Sequence, residues 1–204
     1  MTTIVIATGN AHKVEEFNRL AAESRLDNVR FVSAKEAREQ GMPAVCEDSG
    51  TFVGNARLKA RALQALLPAG TPVMADDSGL CVDALGGNPG VDTAYYAGPE
   101  ATAAQNRAKL LAALEGVPAT RRGAYFYCCL LLIDGNGNEF VFDAKSAGTI
   151  AMAESDGGFG FGYDPIFVPD GYDKTFAQLA GTVKDKLSHR GNAFQKLCAF
   201  LKAR

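Results

Sequence analysis

The sequence predicts an α/β protein, and three observations carry that expectation. A β-branched apolar strand, Thr3 to Ala7, runs through a short turn into an amphipathic helix. Two further helices with an apolar face follow, from Asn55 to Leu67 and from Thr102 to Leu114. An unbroken apolar run, Ala124 to Ile133, meets the turn Asp134-Gly135-Asn136-Gly137 and returns through Glu139 to Ala144. At 204 residues the chain suits one domain with a substantial core, and its hydrophobic fraction of 47% is that of a folded globular protein.

In chain order, Thr3 to Ala7 is a buried strand that ends in Thr8-Gly9-Asn10. The helix behind it opens with Ala11-His12-Lys13 and carries Val14, Phe17, Leu20 and Ala21 on one face. Such a turn is a workable anion cradle, because helix amides and a lysine converge there, and it is equally a plain turn capped by Asn10. It is not a Walker A loop, since GxxxxGK[ST] is absent. Val29 to Ser33 is a second strand. The helix from Asn55 ends at Pro68 and Gly70, and Thr102 caps the helix that stops at Gly116. Ala124 to Ile133, apolar throughout, reads as a strand buried on both faces, with Tyr125, Phe126 and Tyr127 as core residues. The polar segment Thr182 to Gly191, with His189 and Arg190, precedes a terminal helix that carries Phe194, Leu197, Cys198 and Leu201.

Composition excludes several function classes. A net charge of −2 lacks the basic footprint of a nucleic-acid binder. The five cysteines (Cys46, Cys81, Cys128, Cys129 and Cys198) are odd in number and show no CxxC spacing, which favours reduced thiols in a cytoplasmic protein. Cys46 sits beside Glu47-Asp48, a setting that raises a thiol pKa and argues against a nucleophile. Met1 to Asn10 has no basic signal-peptide region, and the longest apolar run falls short of the about 20 residues that span a bilayer.

Three stretches carry the candidate chemistry. In Val73-Met74-Ala75-Asp76-Asp77-Ser78-Gly79-Leu80 an apolar run meets two adjacent carboxylates, which reads as a strand end at the crevice where α/β proteins bind ligands. Two adjacent carboxylates repel when buried, so a bound cation is an obvious neutraliser; the same residues are also ordinary turn formers. Glu47 is either an exposed loop charge or a carboxylate facing Asp77 across a metal. In Gly157-Gly158-Phe159-Gly160-Phe161-Gly162-Tyr163-Asp164-Pro165, glycines let backbone approach a ligand while an aromatic stacks on a flat base. From Lys184 to Arg190, with Ser188 and His189, lies a set of donors suited to phosphate oxygens and carbonyl edges.

Four motifs in order, Thr8-Gly9-Asn10-x-x-Lys13, Ala75-Asp76-Asp77-Ser78-Gly79-Leu80, Phe161-Gly162-Tyr163-Asp164-Pro165 and Ser188-His189-Arg190, with the connecting Leu85-Gly86-Gly87-x-Pro89-Gly90, resemble the inosine/xanthosine triphosphate pyrophosphatases. The match runs from about residue 3 to the terminal helix. It implies hydrolysis of ITP, dITP or XTP to the monophosphate and pyrophosphate with Mg²⁺, by a cytoplasmic homodimer that partners neither nucleic acid nor membrane. The implied fold is a long twisted mixed sheet flanked by helices, residues 1–204 forming one domain of two lobes with the site in a central cleft. By the same resemblance Thr8, Gly9, Asn10, Ala11, His12 and Lys13 hold the triphosphate. Asp77 is the proton acceptor and, with Glu47, a metal ligand, and Ser78 touches substrate. Phe161, Gly162, Tyr163 and Asp164 embrace the nucleoside, with Phe161 as stacking face; Lys184 matches the family lysine, and His189 and Arg190 bind the base side.

The chain departs from that pattern at several places. Tyr95-Tyr96 stands for an Arg-Tyr pair, Asp92 for an aromatic, Gly54 for a Glu before Asn55-Ala56, and Thr182-Val183 for an acidic pair. These departures leave two alternatives beside the main reading: a nucleotide-binding module without turnover, and a pyrophosphatase with a shifted base preference.

Overall fold

The computed structural model of the chain describes residues 1–157 and 161–204. Gly158, Phe159 and Gly160, part of the glycine-aromatic stretch, lie outside the described residues. Six strands form one sheet in the order β2-β1-β3-β4-β5-β6: β1 Thr2–Ile6, β2 Val29–Ser33, β3 Val73–Val82, β4 Gly123–Ile133, β5 Glu139–Ile150 and β6 Phe167–Pro169. The sheet is mixed. β1 pairs parallel with β2 and with β3, whereas β5 and β6 are antiparallel. The α-helices are α1 Ala11–Glu23, α2 Ala34–Ala37, α3 Phe52–Gln64, α4 Ala103–Ala113, α5 Gly181–Leu187 and α6 His189–Lys202. No helix among the described residues is long and apolar enough to cross a membrane.

The chain divides into two compact units, one of Met1–Asp77, Cys128–Asp143 and Ala193–Arg204, the other of Ser78–Tyr127 and Ala144–Asn192. In the first, the predicted apolar face of α1 is the buried one: Val14, Phe17, Leu20 and Ala21. Phe17 meets Phe31 of β2 and Phe194 of α6, a trio of tilted and edge-on rings with centroids 5.7–6.0 Å apart. Asn18 bonds both the N–H and the C=O of Phe31, so a side chain satisfies backbone groups of the edge strand β2. The second unit packs Leu80, Leu110, Phe126, Tyr163, Phe167 and Phe176 into its own core.

Four expectations are corrected. The acidic pair does not end a strand: β3 continues through Asp76 and Asp77 to Val82, because both side chains find lysine partners that override the turn preference of Asp, Ser and Gly. The third helix starts at Phe52, not Asn55, since the Thr51 hydroxyl accepts from Gly54 N and caps it. The polar stretch at Lys184 is itself a helix, α5, and the terminal helix begins at His189. β4 is fully buried only from Cys128 to Ile133, and half-buried Gly123, Tyr125 and Tyr127 alternate with buried residues before it.

Candidate functional site

The first unit assembles a cluster of carboxylates and lysines on β3. A strand sends successive side chains to opposite faces. Asp76, whose side chain has 0% exposure, takes Lys13 Nζ of α1 at 3.2 Å, and the Cys128 thiol also points to it at 3.8 Å. Asp77 takes Lys59 Nζ of α3 at 2.5 Å through Oδ1. The same ammonium lies 2.8 Å from Glu47 Oε2, so one lysine joins the loop carboxylate to the strand carboxylate. The sequence offered a cation between these two acids; within the chain itself, that cation is Lys59.

One acceptor in the cluster stays open. Asp77 Oδ2 is buried without a hydrogen-bond partner among the described residues. Burial pushes the Asp77 carboxyl up to about 6; Lys59 pulls it down, while Glu47 and Asp76 add to the rise. For Lys59 burial works against the charged form, and the attraction of Asp77 and Glu47 outweighs it, leaving the ammonium above its ordinary value. An unpartnered buried oxygen beside a second carboxylate is a donor set of the hard-oxygen kind that Mg²⁺ accepts. Two carboxylates are what the cluster offers: no group of three or more His, Cys, Asp or Glu side chains that could hold a metal stands together among the described residues.

The turn after β1 is built as expected. Asn10 Oδ1 accepts from His12 N at 3.0 Å, and Asn10 N donates to Thr8 Oγ1 at 3.1 Å. Gly9 precedes the cap, and Ala11, His12 and Lys13 form the first turn of α1. The Glu47 loop is anchored to α3 through buried Asn55, whose Oδ1 accepts from Ser49 N at 3.2 Å and lies 2.8 Å from Ser49 Oγ. Gly54 belongs to this corner: a Cβ there would lie 2.2 Å from Ser49 Oγ and 2.7 Å from Thr51 Oγ1.

The second unit carries the aromatic half of the predicted set. Phe161 is 64% exposed, which leaves its ring face accessible. Asp164 Oδ2 accepts from both Phe161 N and Lys184 Nζ, each at 2.6 Å, and so holds the lysine over the Phe161 ring at 5.1 Å. Gly162 has φ +63°, a left-handed conformation that suits glycine. Tyr163 is buried and donates to Thr93 O, and its burial pushes the phenol pKa up. The His189 ring stacks on Phe126 with centroids 4.9 Å apart and planes 11° apart. Arg190 is buried near the start of α6, and Ser188 Oγ accepts from Gly191 N as that helix's cap. Ser78 is half-buried on β3.

The structure therefore brings Lys13, Glu47 and Asp77 into one unit, and Phe161 to Asp164, Lys184, His189 and Arg190 into the other. Two residues escape the sequence reading. Lys59 shows only as a charge within a helical pattern; its signal is its place one turn after buried Asn55 and Ala56. Arg107 of α4 bonds Gly162 O at 2.7 Å and Glu154 Oε1 at 2.5 Å. Nothing local to α4 announces that role. The Cys46 pKa is raised, chiefly by Asp48, as the sequence indicated.

An α/β protein with two lysine-held carboxylates on an inner strand of a mixed sheet is the class that fold and site define. The chain belongs to the Ham1 family, whose model matches residues 4–200. It is 55% identical over 193 residues to a dITP/XTP pyrophosphatase of Opitutus terrae, covering 94% of this chain and 95% of that one. It is 45% identical over 197 residues to the dITP/XTP pyrophosphatase of Geobacillus kaustophilus, covering 97% and 93%. Among solved structures it is similar to the Staphylococcus aureus Ham1 protein (TM-score 0.87, 37% identity, 99% of each chain). A HAM1 protein from Coxiella burnetii gives a TM-score of 0.88 at 36% identity over 100% of each chain.

Proposed function

We propose that this chain hydrolyses the non-standard purine nucleoside triphosphates ITP, dITP and XTP to the monophosphate and pyrophosphate, keeping deaminated purines out of DNA and RNA. The observation that carries the reading is the Asp77 carboxylate: buried, held by Lys59 through one oxygen, and open at the other. The names of the relatives support the reaction class.

In this reading Asp77 accepts the proton of a water whose oxygen attacks the α-phosphorus; the bond from that phosphorus to the bridging oxygen breaks, and pyrophosphate leaves. The open oxygen of Asp77, buried and without a partner among the described residues, is the atom placed to take that proton. Asp77 and Glu47 would hold Mg²⁺, which offsets phosphate charge when bound. Lys13 and Lys59 add positive charge for the triphosphate, with Thr8 to His12 at the start of α1. Phe161 stacks on the base, and the buried Arg190 and the half-buried His189 supply donors for a 6-oxo purine. Adenine would set its 6-amino donor against such donors, a mismatch that discriminates strongly. The same reading places a homodimer in the cytoplasm.

The test is product identity. Phosphorus NMR of ITP treated with the protein and Mg²⁺ should show IMP and pyrophosphate appearing together. IDP with orthophosphate would contradict the proposal.

A further inference from the structure

The Phe161–Asp164 turn is held from a distance. Arg107 projects from α4 with only 13% of its side chain exposed. One arm of its guanidinium, Nη1, donates to Gly162 O at 2.7 Å. The other, Nη2, pairs with Glu154 Oε1 at 2.5 Å. The planar fork thus ties together two points of the chain eight positions apart, Glu154 before the glycine-aromatic stretch and Gly162 within it, and fixes both relative to a capped helix.

Gly162 is a sensitive point to hold. It lies between Phe161, whose N–H reaches Asp164 Oδ2, and Tyr163, whose hydroxyl reaches Thr93 O. Asp164 N in turn donates to Phe161 O. The same Asp164 oxygen carries Lys184, which stands over the Phe161 ring. The Gly162 carbonyl held by Arg107 thus belongs to the same hydrogen-bonded turn that sets the Phe161 ring beneath Lys184. Among the described residues the hydrogen bonds of Arg107 go to Gly162 and Glu154, both in its own unit.

We infer that Arg107 is a positioning residue for base recognition: through Gly162 O it sets the Phe161 ring and the Lys184 ammonium that receive the purine of the substrate. The inference rests on the functional reading above and assigns base affinity, not phosphate affinity, to a side chain whose own bonds go to Gly162 O and Glu154. A methionine at 107 keeps the stem and loses both bonds; a lysine can keep one of them.

The experiment compares Arg107→Met, Arg107→Lys and Glu154→Gln with the wild type in three measurements: KM and kcat for ITP, Kd for IMP by calorimetry, and inhibition by inorganic triphosphate, which has no base. Arg107→Met should raise KM for ITP and Kd for IMP together by about tenfold, with kcat within about twofold and triphosphate inhibition unchanged. Arg107→Lys should recover part of the loss. Should Arg107→Met fail to fold, Glu154→Gln still weakens the hold on Arg107 and should raise both constants by about threefold. Unchanged KM and Kd in all variants would overturn the inference, and so would triphosphate inhibition that weakens in parallel, which marks general loosening. A wild type that binds no IMP and cleaves no ITP would overturn the functional reading and this inference with it.

Discussion

Lys59 and Asp77 meet at 2.5 Å although 18 residues separate them in sequence, and Glu47 shares the same ammonium. Its neighbour Asp76 is served by a different lysine, Lys13, from a different helix. Two adjacent carboxylates on one buried strand are thereby each given a countercharge, and the strand need not break to expose them to water.

Lys59→Met removes the partner of a buried carboxylate. Breaking such a pair leaves an uncompensated charge, so the variant should lose about 3 kcal/mol of unfolding free energy in urea at neutral pH. A loss below about 0.5 kcal/mol would show the pair to behave as an exposed surface bridge.

Gly54→Ala tests the corner at the start of α3. In an exposed helix this change gains about 1 kcal/mol. Here the added Cβ meets Ser49 Oγ at 2.2 Å and Ser49 Cβ at 2.6 Å, so the expected result is a loss of about 1–3 kcal/mol. The double variant Ser49→Gly with Gly54→Ala should recover only part of it, because Thr51 Oγ1 still lies 2.7 Å from the new Cβ and the Ser49 Oγ bond to Asn55 is gone. A stabilised single variant would show that Ser49 moves aside freely.

Phe161→Ala should separate stability from function. The ring is 64% exposed, so the melting temperature should change little. Loss of the stacking face should raise KM for ITP by about tenfold or more, since base stacking on an aromatic is worth about 1–3 kcal/mol. An unchanged KM would remove Phe161 from base recognition.

Asp134 sets an acid limb. Burial alone would raise its pKa, but hydrogen bonds from Asn138 and Asn136 and the Arg204 guanidinium outweigh it and bring the carboxyl down to about 2. A pKa depressed in the folded state gives stability that is present above the unfolded value near 4 and lost as pH falls through about 2. The difference in stability between wild type and Asp134→Asn should therefore be largest above pH about 4 and shrink as pH falls toward 2. A difference that is constant from pH 2 to 6 would assign it to something other than this ionisation.

Much of the frame was legible in the sequence because it is written in local pattern. The apolar face of α1, the limits of β2 and the Thr102 cap of α4 follow from periodicity and capping chemistry. The Asp134–Asn138 turn is likewise where Asp-Gly-Asn-Gly put it. What escaped depends on partners far along the chain. β3 looked finished at Asp76 because nothing nearby neutralises two acids; Lys13 and Lys59 come from other elements. Arg107 escaped for the same reason, its acceptors lying 47 and 55 positions away. The order of residue types along the chain was legible, while the charge pairing of Lys13 and Lys59 with the two acids had to be seen.

Base-selective pyrophosphate release should depend on Asp77. The decisive measurement is pyrophosphate formed from ITP, XTP, GTP and ATP by wild type and by Asp77→Asn, with Mg²⁺ and with chelator. The expected result is rapid release from ITP and XTP only, none in chelator, and a fall of at least about 100-fold in Asp77→Asn with its circular dichroism spectrum unchanged. Equal rates on all four triphosphates, or an active Asp77→Asn, would contradict it.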